Sequence, residues 1–461
     1  MPTRHVSEGR RLGASSPSAL PLSNILGLPS IQPAATPGRP RRIDSPGAIA
    51  IGLAAALTLL AGCAGAVKSD AHSSSERRPW RFTEFPIIAW WGPPGTAGRE
   101  AFEAYREAGF TLHATNPDEG FAEALAHVEA VGLRAMVFRT AQGFALPPLP
   151  NPDFPAHRDA IVGWIAEDEP AGAERVARAI GRVQTLMETD PTRWAFFNML
   201  SPHLAGIPAT AAAIDAAAQR GMPILSYDTY VTMADGTDRA DLLYGHLALF
   251  RQASLRHGVP FWAFALTIEH GPYRRPSESD LRWQQYSNLA YGAKGLWYFT
   301  YWAPVGWPGW DHRAIVDATD GSRTELYDWV RAVNHAVRDM GPLLLGLTST
   351  DVVHTHPPPR ERGFEAGRSW ITDIRARDAL VGYFSDSAGT RYAMIVNKVH
   401  GPGRSARDTA DSLELRFADS VRAVDIVSWL DGVPGPLALE DGRARLRVGG
   451  GTGVLLRATL R

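Results

Sequence analysis

Ile161-Val-Gly-Trp-Ile-Ala-Glu-Asp-Glu-Pro170 carries an apolar run straight into three consecutive carboxylates and a proline. The run reads as a buried strand, and the proline suits the first turn of a following helix. Unpaired charge is costly to bury, so acids at the end of such a strand belong at an opening. Where parallel strands alternate with helices, chemistry gathers at the strands' C-terminal ends. Glu169 stands at that position.

Reading outward, eight apolar runs recur: Pro86–Trp91, Thr111–Thr115, Arg134–Arg139, Ile161–Ala166, Trp194–Leu200, Ile224–Tyr227, Phe261–Leu266 and Gly295–Thr300. Helical spacing fills Gly98–Ala108, Gly120–Val131, Ala171–Met187, Ala209–Arg220 and Leu242–His257. Gly109, Gly132, Gly221 and Gly258 each stand just before a strand, as C-cap glycines do. Strand–helix alternation implies a parallel sheet. Eight units between residues 86 and 300 predict a (β/α)8 (TIM) barrel. The alternative is an open doubly wound sheet, but the glycine-rich phosphate loop of many such sheets is absent. A further helix follows Ser322 and runs to about Met340. Short β runs then appear at Ala379–Phe384, Arg391–Val396, Ser412–Phe417, Ala423–Trp429, Ala444–Val448 and Val454–Thr459, predicting a C-terminal antiparallel β-sandwich.

The N-terminal segment reads differently. Arg39-Pro-Arg-Arg42 is a basic stretch, and Ala48 to Leu60 is an apolar run short for a membrane span. Leu60-Ala61-Gly62-Cys63 contains the only cysteine, so no intrachain disulfide can form. This segment resembles the signal peptide and lipobox of bacterial lipoproteins. The resemblance implies cleavage before Cys63, lipidation of its thiol and attachment to the cell envelope. A plain signal peptide or a short anchor is the alternative. Ala64, where an Asp would favour the inner membrane, points to the outer one. The expected organisation is therefore an extension and leader over 1–63, a Ser-rich tether over 64–80, the barrel over 81–345 and the sandwich over 346–461.

A net charge of −1 gives no field for nucleic acid. Fourteen Trp and twelve Tyr supply flat faces that stack on sugar rings, although many will be core. Several strand ends carry polar or aromatic groups: Trp90-Trp91, His113, Glu167-Asp168-Glu169, Asn198 and His203, Asp228 with Tyr230, Glu269-His270, and Tyr301-Trp302 with Trp307 and Trp310. Acids and aromatics around one rim suggest a carbohydrate site. Neither metal-ligand spacing nor a Gly-x-Ser-x-Gly elbow is present, and no cofactor is implied.

Gly163-Trp164-Ile165-Ala166-Glu167-Asp168-Glu169-Pro170 resembles the Asn-Glu-Pro motif of clan A glycoside hydrolases. Glu169 falls on the acid/base Glu, Pro170 on the Pro, and Asp168 replaces the Asn. Asn288-Leu-Ala-Tyr-Gly-Ala-Lys-Gly-Leu-Trp-Tyr-Phe-Thr-Tyr-Trp302 is similar to a segment of bacterial β-galactosidase-like proteins. The resemblance implies hydrolysis of O-glycosidic bonds in an oligo- or polysaccharide. It also implies a second Glu at the end of strand 7, where Glu269 stands, a few residues late. Asp228 is the fallback. Retaining enzymes hold the two carboxyls about 5–5.5 Å apart and inverting ones about 6.5–9.5 Å apart, and both arrangements stay open. Asp168, Asp228, Tyr230, Trp91, His113, Asn198, Tyr301 and Trp302 are the expected sugar contacts.

Each of these residues has a plainer reading. Glu169 would also serve at a helix N-terminus, Glu167 as a support charge, Glu269 as a solvated loop acid, and the histidines and Trp90-Trp91 as core. Arg282 reads equally as an ion-pair partner or a binding group. Two rival functions follow: a non-catalytic carbohydrate-binding lipoprotein on a degenerate barrel, and a structural envelope protein with its aromatics packed away.

Overall fold

The computed structural model describes residues 82–116, 120–138 and 157–461. The leader, Cys63 and the whole of the expected tether lie outside these residues. Eight strands form one sheet: β1 (Ile87–Trp90), β2 (Leu112–Thr115), β3 (Arg134–Phe138), β4 (Ile161–Asp168), β5 (Trp194–Met199), β6 (Leu225–Tyr227), β7 (Phe261–Leu266) and β8 (Leu296–Phe299). Their order is β1-β8-β7-β6-β5-β4-β3-β2, and every pairing is parallel. The two ends of this order nearly close the sheet into a barrel. Thr111 joins them: its N–H donates to Ile87 O (2.9 Å) and its Oγ1 accepts from Ile87 N–H (2.9 Å).

The strands are buried on both faces, which is why they read as continuous apolar runs. The barrel holds large rings. Trp90 meets Phe138 at 4.7 Å and Trp297 at 5.4 Å, Phe264 stacks on Trp297 at 5.1 Å, and Trp194 meets Trp262 at 5.6 Å. Glycines make the room. A Cβ on Gly295 would lie 2.5 Å from Trp262, and one on Gly163 would lie 2.9 Å from Trp194. Many of the tryptophans are therefore barrel filling rather than sugar platforms.

The surrounding helices are α1 (Arg99–Glu107), α2 (Phe121–Ala130), α3 (Ala173–Thr189), the short α4 (Pro202–Ala205), α5 (Ile207–Gln219), α6 (Ala240–His257), α7 (Glu278–Ala290) and α8 (Glu325–Gly346). Helix α7 departs from an amphipathic pattern because it is buried on nearly every side. It starts with a reciprocal Ser277–Asp280 capping box. Its polar side chains then satisfy barrel backbone: Gln284 Oε1 accepts from Leu266 N–H (2.9 Å), while Gln285 and Asn288 donate to Trp297 O and Phe264 O (both 3.1 Å). Arg282 resolves as an ion-pair partner, 2.5 Å from Glu278 and 2.7 Å from Asp431.

Two antiparallel sheets follow. One has the order β10 (Ile371–Arg375), β13 (Asp411–Phe417), β16 (Arg443–Val448). The other runs β15 (Gly435–Pro436), β14 (Val421–Trp429), β17 (Gly453–Leu460), β12 (Arg391–Asn397), β11 (Ala379–Ser385), β9 (Thr348–His354). Their facing sides enclose a core that includes Ile371, Val381, Ile395, Leu413, Leu415 and Leu456, as a β-sandwich requires. The outer face of the larger sheet packs on the barrel through Leu380, Phe384, Met394 and Leu455. There Gly382 lies so close to Ala290 that any Cβ would run into its carbonyl oxygen. The sequence reading missed β9, β10 and β15. β9 lies at the sheet edge beside β11, and its first residues, Thr-Ser-Thr-Asp, are partly exposed and look like a loop.

Candidate active site

The site begins with a bulge. Ile165 pairs with Phe196, and the next pairing is Asp168 with Asn198, so β4 spends three residues where β5 spends two. A bulge of this kind redirects the side chains that follow it. Glu167 turns outward to α3, where Arg182 (3.0 Å) and Arg175 (3.6 Å) neutralise it, so its role is structural. Asp168 turns toward Asn198, whose Nδ2 donates to its Oδ1 at 3.3 Å. Glu169 then adopts a left-handed backbone (φ 44°) while its N–H donates to Asn198 O at 2.9 Å. That conformation costs a non-glycine residue about 1–3 kcal/mol and persists only where its surroundings enforce it. Here the result is that the Glu169 carboxyl hydrogen-bonds the carboxyl of Asp228, just past the end of β6.

Asn198 holds the group together. Ser226 Oγ donates to its Oδ1 (2.9 Å), which turns the amide so that Nδ2 reaches both Asp168 and, at 3.1 Å, Asp228. Asp228 is buried, whereas Asp168 and Glu169 keep part of their surface open. Burial is the main force on all three acids. It raises Glu169, and it raises Asp228 well above the usual range with help from the Glu169 and Asp168 charges. Burial and the Glu169 charge push Asp168 up to about 8. Two carboxyls in contact cannot both ionise cheaply, so Glu169 and Asp228 titrate as a pair that holds one proton.

Tyr230 links these acids to an aromatic wall. Burial and the nearby carboxylates hold its phenol neutral, and its ring stacks near Phe299 (5.4 Å) and meets Tyr273 edge-on (5.6 Å). Phe299 lies 5.8 Å from Trp91 and 5.7 Å from Trp310. Trp307, 51% exposed, adds an open face beside Trp91 at 5.7 Å. Tyr273 was not anticipated. Its phenol is raised by burial and then by Asp228 and Glu169, which puts it beside the acid pair. It sits in a Gly-Pro-Tyr-Arg-Arg turn away from any strand end, so no periodic signal marked it.

Thus Asp168, Glu169, Asn198, Asp228 and Tyr230 come together, and Trp91 joins the wall. Four expected site residues, Glu269, His113, Tyr301 and Trp302, meet a different placement. Glu269 is exposed, and among the described residues only its backbone carbonyl is engaged, accepting from Asp311 N–H (3.0 Å). His113 is buried behind the rim, with its ring nitrogens engaged by Thr115 Oγ1 (2.7 Å) and Pro93 O (3.1 Å). Burial lowers its pKa to about 4, so it is a neutral support for the Gly92–Pro93 turn. Tyr301, 1% exposed, packs edge-on against Tyr105 (4.8 Å) instead of facing the opening. Trp302 is half-buried beneath the segment around Ala314 and Ala318. His203 lies apart on α4, bonded to Ser201 (2.9 Å) and stacked near His246 (5.7 Å). Among the described residues, no group of three or more His, Cys, Asp or Glu is placed to hold a metal ion. A cleft of about 650 Å³ is lined by Val231, Asp238, Arg274, Lys398 and His400 but by none of the acid cluster, so volume alone does not select the site.

No family model and no curated protein matches this sequence. Solved structures with a similar chain path include a β-L-arabinopyranosidase from Geobacillus stearothermophilus (TM-score 0.45, 10% identity, 82% of this chain and 96% of that one). A β-galactosidase from the psychrophilic Marinomonas ef1 aligns at TM-score 0.43 and 11% identity over 57% of this chain, which spans 62% of that enzyme. A glucosidase from Croceicoccus marinus aligns at TM-score 0.40 and 10% identity over 80% of each chain.

Proposed function

We propose that this chain is a glycoside hydrolase, with Glu169 as general acid/base. The observation that carries the reading is the proton-sharing Glu169–Asp228 pair at the C-terminal mouth of a parallel barrel. Burial holds a proton on the pair above the usual carboxylate range, and a held proton is what a leaving glycosidic oxygen needs. The aromatic wall at Trp91, Phe299, Trp307 and Trp310 suits the apolar face of a sugar ring. Asn198 is a positioning residue that fixes Asp168 and Asp228. The second acidic role, expected of Glu269, passes to Asp228. Leu60-Ala61-Gly62-Cys63 adds a lipid anchor through Cys63, so the enzyme would act on oligo- or polysaccharide at the bacterial envelope, in the outer membrane.

A second reading, a non-catalytic carbohydrate-binding lipoprotein, is favoured by one observation: two hydrogen-bonded carboxyls are closer than the separation used by either standard mechanism. Incubating the full chain, in mild detergent, with aryl β-galactoside, β-glucoside, β-xyloside and β-N-acetylhexosaminides separates the two. The catalytic reading expects release of the aryl alcohol from at least one. Sugar binding on a glycan array with no release from any would favour the binding protein.

A further inference from the structure

Among the described residues the acid pair leaves a chemical gap, and what fills it identifies the substrate class; the argument rests on the glycosidase reading above. Displacement at an anomeric carbon needs a proton donor beside the leaving oxygen and a nucleophile on the opposite face. Carboxyls that divide these roles stand about 5–5.5 Å or about 6.5–9.5 Å apart. Glu169 and Asp228 touch, so they occupy one side of the sugar together. Asp168 is tied to the same amide as Asp228, at 3.3 and 3.1 Å, and belongs to that side too. Glu269 is exposed and is not among the groups that perturb Glu169. The phenols of Tyr230 and Tyr273 are kept protonated by burial and by the carboxylates, which makes them poor nucleophiles. Among the described residues the site therefore presents acids on one side and no nucleophile on the other.

We propose that the sugar itself supplies the nucleophile: the substrate is a β-linked 2-acetamido-2-deoxy sugar of gluco or galacto configuration. In the first step the acetamido carbonyl oxygen forms a bond to C1 while the C1–O bond to the leaving group breaks. The electron pair of that bond goes to the leaving oxygen, which takes the pair's proton from Glu169. Positive charge develops on the acetamido nitrogen, and its N–H donates to the Asp228 carboxylate. In the second step a water oxygen bonds to C1, and its proton returns to Glu169. The bond from C1 to the carbonyl oxygen breaks, restoring the acetamido group. One water is consumed, and the anomeric configuration is retained. The carbonyl attacks from the face opposite the leaving group, so the 2-substituent must be trans to it. In gluco and galacto sugars this selects the β anomer. One shared proton matches this use: it passes through Glu169 to the leaving oxygen, both carboxyls are then ionised, and the Asp228 carboxylate faces the N–H of the cationic nitrogen. The stacked rings of Tyr230 and Phe299 offer an apolar surface for the acetamido methyl.

The test compares 4-nitrophenyl β-N-acetylglucosaminide and β-N-acetylgalactosaminide with their 2-hydroxy counterparts, using the full chain in mild detergent. N-trifluoroacetyl analogues, whose carbonyl is a weaker nucleophile, complete the series. The expected kcat/KM for an acetamido substrate is at least about a hundredfold above that of its 2-hydroxy counterpart. It should fall at least about tenfold from N-acetyl to N-trifluoroacetyl. Turnover of the 2-hydroxy sugars at an equal or higher rate overturns the inference and leaves the glycosidase reading standing. Equal rates for the N-acetyl and N-trifluoroacetyl substrates also overturn it. Failure to cleave either series overturns both.

Discussion

Glu169→Gln is expected to lower kcat/KM on any glycoside the protein hydrolyses by about 10²–10⁴-fold, the usual contribution of a positioned general acid. Gln keeps the shape and a hydrogen-bond donor toward Asp228 but holds no transferable proton. The thermal midpoint should therefore stay within about 2 °C of the parent, on the scale where 1 kcal/mol moves a protein of this size by a few degrees. The comparison that gives the result meaning is Glu269→Gln. Glu269 is exposed, and among the described residues its backbone alone is engaged. Activity within about twofold of the parent is expected for that variant, because surface changes away from the reacting atoms are nearly neutral. Equal, large losses in both variants would restore the arrangement in which Glu269 is the nucleophile.

The second large effect is on stability. In the folded chain Asp168 is pushed up to about 8, chiefly by burial and then by the Glu169 charge. An unfolded Asp titrates near 3.9. The folded state thus keeps a proton that the unfolded state releases across the interval between these values. Stability falls as pH rises through that window and levels off above it. Asp168→Asn removes this contribution, because Asn has no proton to lose and its Oδ1 still accepts from Asn198. The gain should be near zero at pH 4 and reach about 2–3 kcal/mol by pH 8.5, less than the full linkage value because the site keeps some contact with water. Thermal melts of both proteins at pH 4, 6 and 8.5 measure it. A difference that does not grow with pH would mean that Asp168 is already ionised in the folded chain.

These expectations depend on features that were unequally legible in the sequence. The barrel strands were readable because burial on both faces leaves uninterrupted apolar runs, and because left-handed glycines such as Gly258 (φ 67°) end the helices before them. Glu169 was readable because an acid at the end of such a run has to face an opening. Its partner was not. Whether Glu169 meets Asp228 or Glu269 is decided by a one-residue bulge and a left-handed residue in β4, and neither leaves a trace in a period-two pattern. His113 lies inside β2 and Tyr301 two residues past β8, and both side chains are packed away from the opening, which an apolar run alone does not reveal. Helix α7 concealed its role for a related reason. Its Gln and Asn side chains look like surface residues but satisfy barrel carbonyls and an N–H deep inside the chain.

The most direct test of the account is a crystal structure of the sugar-free protein, read for one quantity: the shortest distance between the carboxyl oxygens of Glu169 and Asp228. A proton-sharing pair predicts about 2.5–2.7 Å, the range of a charge-assisted O–H···O bond, with the Glu269 carboxylate in solvent. A separation of about 5 Å or more, with Glu269 turned inward to face Glu169, would contradict it and return the site to two carboxylates on opposite faces of the sugar.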